Sequence, residues 1–239
     1  MINNKIMKNK FNYILLFIFS LTLISCEKDN YEPPKSMLTG RVIYQGTQLY
    51  FQPNRVSYEL FQDGFGKSGP ISSSFSAEGI YSHLLFNGTY KMVIRPGQGP
   101  FLWGESVTNI KNESIIDVKG NTEMDIEVIP YWLIKNHKLS FSENILTGTF
   151  DLEQIIAGSI AKNIESVTLY ISKTVFANSE TNIAVKSIQG DAISNLNNIN
   201  LNVNLPTLIP SQNYVFGSIG VKIIGVEDMI YSKVEKINL

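Results

Sequence analysis

Side chains that commonly carry chemistry are scarce in this sequence: 239 residues include one cysteine, two histidines and two tryptophans. Cys26 has no second thiol to pair with, so no intramolecular disulfide framework staples the chain, and no cysteine-histidine set stands at zinc-ligand spacing. His83 and His137 lie far apart, and each is expected on a strand or turn surface with no metal. No G-x-S-x-G, no H-E-x-x-H and no phosphate-cradling glycine loop occurs. Acidic neighbours such as Glu227-Asp228 and Asp125/Glu127 come without a legible apolar enclosure, so a two-carboxylate hydrolase is not expected, nor is any cofactor. Arginine is limited to Arg41, Arg55 and Arg95, and 20 basic residues face 21 acidic ones. A chain of that balance offers no basic stripe for phosphate backbones, which argues against nucleic acid as a partner. Long apolar runs are missing too, with one exception, Phe11 to Cys26, and that falls short of the roughly 20 residues that cross a bilayer core.

Lys5, Lys8 and Lys10 precede this run with no acidic residue before Glu27, the order of an export signal. Its last residues, L-I-S-C at Leu23 to Cys26, resemble the lipobox of bacterial lipoproteins. The resemblance implies cleavage before Cys26, acylation of the thiol and attachment to a membrane through that lipid; an uncut signal anchor is the alternative. Several acyl chains would hold the protein nearly permanently, at about 0.8 kcal/mol per buried methylene. Residues 1–25 are thus expected to be a signal peptide. Their removal leaves 17 basic against 21 acidic residues, a net charge of −4. Residues 26–36, polar and carrying Pro33-Pro34, read as an extended tether. Glu27, Lys28 and Asp29 look like the short charged signals that send some lipoproteins of the Bacteroidota to the outer membrane, facing the cell exterior. A plain soluble linker is the other reading.

From Met37 onward the pattern has period two. Val42 and Tyr44 alternate with polar neighbours, as do Val56, Tyr58 and Leu60, and Tyr90, Met92 and Ile94, the mark of strands with one buried face. Gln45-Gly46-Thr47 and Gln52-Pro53-Asn54 are turn signals. Asn87-Gly88 predicts a tight hairpin between strands ending near Phe86 and starting at Thr89. Ile115 to Val118, the Lys119-Gly120-Asn121 turn, and Met124, Ile126 and Val128 predict another before Pro130. In the second half Leu146, Gly148, Phe150 and Leu152 alternate, as do Val167, Leu169 and Ile171. Ile199, Leu201, Val203 and Leu205 interleave with Asn200, Asn202 and Asn204 as a half-buried strand with a wet asparagine face. Last strands are expected at 215–224 and 229–234. A helical turn fits only within Asp151 to Ala161, where Gly158 weakens it.

The phrases L-T-G-R-V-I-Y-Q-G (Leu38 to Gly46) and F-N-G-T-Y-K-M-V-I (Phe86 to Ile94) are similar to those of carboxypeptidase regulatory domains and other prealbumin-like sandwiches. L-I-P-S-Q-N-Y (Leu208 to Tyr214) resembles the L-x-P-x-x-x-Y turn of fibronectin type III modules, departing at Ser211, and implies a tyrosine whose buried ring and bonded hydroxyl pin a crossover. From Cys26 through Tyr131 and Trp132 the chain looks like a two-domain lipoprotein family of the Bacteroidota whose members sit beside starch-utilisation-type glycan importers. The expected fold is all-β, two tandem β-sandwiches of roughly 100 residues each: a prealbumin-like one at 37–130 and an immunoglobulin or fibronectin III-like one at 131–239.

One loop stands out. Arg95 to Gly104, R-P-G-Q-G-P-F-L-W-G, is stiffened by prolines and carries Phe101 and Trp103, which could stack on sugar rings while Arg95, Gln98 and Glu105 bind hydroxyls. Alternatively the two rings plug the end of the first sandwich or pack on the second, and the same choice exists for Trp132. The resemblance implies a non-catalytic, glycan-binding accessory of an outer-membrane importer. A spacer or scaffold touching only other proteins is the competing reading, since all-β tandem modules often serve that way.

Overall fold

The computed structural model describes residues 32–64, 69–103 and 113–239; residues 1–25, expected to be a signal peptide, and Cys26, Gly104 and Glu105 lie outside them. The fold is all-β, two tandem sandwiches. The first contains β1 (Ser36–Tyr44), β2 (Thr47–Gln48), β3 (Tyr50–Phe51), β4 (Ser57–Gln62), β5 (Ile71–Ser74), β6 (Ile80–Leu85), β7 (Gly88–Val93), β8 (Phe101–Leu102), β9 (Glu113–Val118), β10 (Thr122–Glu123), β11 (Ile126–Glu127) and β12 (Ile129–Pro130). One sheet is organised on β1, which pairs antiparallel with β6 and β2 along one edge and parallel with β10 and β11 along the other. The facing sheet runs β5-β4-β7-β9, all antiparallel.

The second sandwich contains β13 (Trp132–Ser142), β14 (Ile145–Gln154), β15 (Ile164–Ser172), β16 (Ala184–Gln189), β17 (Ile199–Asn204), β18 (Tyr214–Ile223), β19 (Ile230–Tyr231) and β20 (Glu235–Asn238). Its sheets are β13-β14-β17 and β16-β15-β18, the latter extended by β19 and β20. The predicted alternations hold where one face is wet: Leu146, Phe150 and Leu152 are buried on β14, and Asn200, Asn202 and Asn204 are exposed on β17. β15 is buried on both faces from Val167 to Ser172: Leu169 lies over Gly148 of β14 on one face, while on the other Tyr170 packs against Tyr231 and Met229 and Thr168 bonds Ser187.

Several local expectations are corrected. Asn87-Gly88 closes no hairpin: β6 belongs to the β1 sheet and β7 to the opposite one, so the chain crosses between sheets there. Asn87 instead serves as a clamp, its Oδ1 accepting from Ser36 Oγ at 2.6 Å and from the Gly120 amide at 2.8 Å. Lys119-Gly120-Asn121 is a second crossing, from β9 to β10, and the strands after it run parallel to β1. The two-residue turn with consecutive positive φ lies at Gln45 (48°) and Gly46 (75°), joining β1 to β2, and another joins β13 to β14 at Glu143 (51°) and Asn144 (63°). Alternation reports which face a residue occupies and is blind to which strand lies alongside. The last expected strand, 229–234, holds only the two-residue β19, a further strand, β20, follows it at Glu235–Asn238, and 151–161 is strand to Gln154 followed by one 3-10 turn at Gly158–Ile160. Tyr214, expected in the turn with a buried ring, opens β18 instead, and its ring is half-buried, edge-on to Phe216 and beneath the Lys236 ammonium at 4.1 Å. His83 is no surface histidine: Tyr58 holds its Nε2 at 2.6 Å, and burial lowers its pKa.

The sandwiches are joined through their cores. β3 leaves the first and pairs with β19 of the second, Tyr50 opposite Tyr231 and Phe51 opposite Ile230. Buried Gln52 accepts at Oε1 from Ser179 Oγ (2.6 Å) and the Tyr231 hydroxyl (3.0 Å), and Arg55 pairs with Glu180. Buried side chains form one continuous cluster through both halves.

Candidate functional site

The Arg95 to Trp103 segment is a strap between the sandwiches. Phe101 and Leu102 form β8 and pair with Pro130 and Ile129 of β12, and the Tyr131 amide donates to Pro100 O at 3.1 Å. The turn before β19 closes on the same loop, the Glu227 amide donating to Gly97 O (3.0 Å) and the Asp228 amide to Gln98 O (3.1 Å). Gly97 has φ +79°, and a Cβ on Gly99 would meet the Phe101 ring at 2.6 Å, so glycines shape the strap. Phe101 (6% exposed) packs 5.7 Å from Phe51, and Trp103 (7% exposed) lies in the same core. Neither ring is displayed, because pairing β8 with β12 turns the loop inward. Arg95 is engaged by Glu59 at 2.8 Å, and Gln98 Nε2 donates to Ser57 Oγ at 2.6 Å. These groups hold the strap together. Trp132 is likewise buried, its indole N–H donating to Lys162 O at 2.8 Å.

Asp228, at the strap's docking point, is 8% exposed, and its Oδ2 has no hydrogen-bond partner among the described residues. Desolvation, helped by Glu227, pushes its pKa up to about 6 against the weaker opposing pull of Arg55 and Lys222. A carboxyl that titrates near 6 when folded and near 3.8 when unfolded stabilises the fold most below the lower value, and that contribution is lost as pH rises through 6. His83, with its lowered pKa, acts oppositely and favours higher pH. Asp228→Asn is therefore expected to raise the melting temperature at pH 8 and to leave it nearly unchanged at pH 3, below the unfolded value of 3.8. Equal shifts at both values would show that the carboxyl is not buried in its ionised form.

On another side of the same junction lies a cleft of about 320 Å³. The β1–β2 turn and β3 place Tyr44, Gln48 and Tyr50 on one wall, and β13 with β14 place Lys135, His137 and Glu153 on the other. Buried Leu49, Leu133 and Ile230 form the floor. Two features preorganise it. Pairing of β3 with β19 fixes Tyr50, and β13 breaks register between Lys135 and Lys138, with Asn136 at φ +50°. Such a bulge redirects side chains, and Asp151 stabilises this one, its Oδ2 accepting from Asn136 Nδ2 at 2.6 Å and its Oδ1 from the Asn198 amide at 2.7 Å. Those two bonds, the Asn198 amide first, hold the Asp151 carboxyl below its usual range. Lys135 pairs with Glu153 at 3.2 Å, and His137 Nε2 lies 3.2 Å from Glu235. Tyr44 and Tyr50 are half-buried, so each offers ring surface beside polar neighbours. Among the described residues no three His, Cys, Asp or Glu side chains gather as a metal site. Nothing in the sequence pointed to this cleft, because its walls are some 85 to 110 residues apart along the chain and neither half contains it alone.

Comparison with known proteins covers nearly the whole described chain. Residues 36–129 match the N-terminal domain of DUF3823, a protein family of unknown function, and residues 132–236 match its C-terminal domain, DUF3823_C. A DUF3823 family protein from Parabacteroides merdae is 31% identical, with a TM-score of 0.74, covering 87% of this chain and 100% of its own. One from Bacteroides ovatus is 27% identical, again with a TM-score of 0.74, covering 86% and 100%. A structure from Bacteroides uniformis described as a "putative carbohydrate binding protein" shares the fold at 17% identity and a TM-score of 0.68, covering 86% and 100%. No curated protein matches. Both halves, in this order, place the chain in the DUF3823 family.

Proposed function

We propose that this chain is a lipoprotein anchored through Cys26 to the outer membrane, facing the exterior, and that it binds carbohydrate in the Tyr44–Tyr50 cleft as a non-catalytic accessory of a polysaccharide uptake system. The observation that carries the binding reading is the cleft itself, where two half-buried tyrosine rings stand beside Gln48, Lys135 and Glu153 on a backbone held by a sheet pairing and a bulge. Sugar C–H faces stack on such rings while amide, ammonium and carboxylate groups bond hydroxyls, and a preformed wall lowers the ordering cost. The Bacteroides uniformis description supports the same ligand class. The lipobox and lone thiol support the anchor. The importer partnership rests on the family resemblance read from the sequence.

Calorimetric titration of the mature chain with a panel of polysaccharides tests the binding. Affinity is expected in the micromolar to millimolar range, and Tyr50→Ala should weaken it roughly three- to tenfold, the loss of one stacking contact. A Tyr44→Ala/Tyr50→Ala double variant that binds as before would place the ligand elsewhere. If no glycan binds, the spacer reading becomes the better one, and the continuous junction between the sandwiches suits it. In cells, Cys26→Ala should release the protein from membranes; its retention after a carbonate wash would mean that the apolar segment is an uncut anchor.

A further inference from the structure

The end of the first sandwich where the chain enters is open and apolar. Leu60, Leu85 and Tyr90, all buried, floor a groove of about 290 Å³ walled by Pro34, Ile71 and Leu84. Among the described residues no charged side chain lines it. Its rim is unusually exposed for apolar side chains, Leu84 at 54% and Ile71 at 43%. Met37, opposite Leu84 across the β1–β6 pair, and Ile80 further along β6 extend the same surface. The groove exists because the chain changes sheets here: beyond Leu85 it crosses at Asn87 to the other layer, so the two layers part and no described residue covers their inner faces at the edge.

Where the chain goes next identifies the occupant. Pro34 is itself a wall, and Cys26, the residue that the lipobox marks for acylation, is eight positions earlier. Eight residues span at most about 28 Å even when fully extended. A lipid at Cys26 therefore keeps this end of the sandwich within one short tether of the bilayer, and a tether that short turns a weak second contact into an intramolecular one at high effective concentration. We infer that the groove and its Leu84–Ile71 rim are a membrane-docking face, which seats on the acyl region of the bilayer beside the protein's own anchor and so holds the cleft at a set distance from the membrane. This rests on the anchor of the preceding reading and is independent of glycan binding.

The two are separable by experiment. The mature chain carrying Cys26→Ser, which has no acyl group, is mixed with phosphatidylcholine vesicles and sedimented. It is expected to pellet measurably at millimolar lipid, and Leu84→Ser/Ile71→Ser is expected to cut the pelleted fraction at least fivefold. Both positions are exposed, so an unchanged melting temperature checks that the double variant is folded. No pelleting of the Cys26→Ser chain, or equal pelleting of the double variant, would overturn the docking face while leaving the anchor to the membrane-fractionation result. A dimer in sedimentation velocity that the double variant dissolves and that vesicles do not would also overturn it, assigning the groove to a second copy of the chain.

Discussion

Gly40→Ala is expected to destabilise the protein by on the order of 3 kcal/mol, a fall in melting temperature of roughly 6 to 12 °C for a domain pair of this size. A Cβ at position 40 would stand 1.9 Å from Met124 O and 2.7 Å from the Tyr81 ring. Neither neighbour can yield cheaply. Met124 sits where the parallel partner of β1 changes from β10 to β11, its amide donating to Thr39 O at 2.9 Å. Tyr81, 2% exposed, donates its hydroxyl to Met124 O at 2.5 Å. Relieving the clash means moving a backbone carbonyl that holds the central strand to its parallel neighbours. This gives the G-x-V phrase at Gly40 to Val42 a physical cause: the glycine admits a crossing strand while Val42 fills the core. Thermal unfolding followed by circular dichroism checks it, and a variant melting within a degree of the parent would show that the β10–β11 segment can shift without loss.

Trp103→Ala is expected to cost about 3 to 5 kcal/mol, the usual range for emptying a large aromatic site in a core that cannot collapse. The strap explains why relaxation is limited. Its backbone is tied to β12 on one side and to the turn before β19 on the other, so the cavity cannot close by moving the loop alone. Phe101→Ala should behave similarly, since its ring contacts Phe51 and through it the chain of rings at Phe75 and Tyr58. Urea unfolding gives the loss directly, and Trp103→Phe should recover much of it by refilling the volume. The contrary outcome is distinctive: a Trp103→Ala protein with parental stability and lost glycan binding would make the indole a stacking platform after all.

Strand character was legible wherever a strand has one wet face. Asn200, Asn202 and Asn204 against Ile199 and Leu201 announce β17, and Leu146, Phe150 and Leu152 announce β14, because a period of two is the direct imprint of burial on one side. The number of sandwiches and the all-β class follow from the same imprint together with chain length. Pairing did not follow. Asn87-Gly88 has the chemistry of a hairpin turn yet serves a crossing between sheets, where its side chain, bonded to Ser36 and Gly120, joins three segments far apart in sequence. A local signal reports what conformations a dipeptide tolerates; which strand receives the chain afterwards depends on contacts that no window of residues contains.

The site divides in the same way. Composition alone argued against metal, nucleic acid and the familiar catalytic motifs as starting points, and the order of lysines, apolar run and cysteine at the N-terminus is the basis of the proposed anchor. The aromatic loop was conspicuous in the sequence because prolines, glycines and two large rings share ten residues. Only the tertiary structure decided that those rings face inward, since burial is settled by what covers a residue and here the cover is β12 and the turn before β19. The cleft is wholly a tertiary product: Tyr50 is fixed by pairing with Tyr231, 181 positions away, and His137 is turned by a bulge that Asp151 supports. Periodicity could determine faces because burial leaves a local pattern, whereas pairing, coverage and the meeting of distant walls are free-energy terms between segments, which take a value only once the chain has folded.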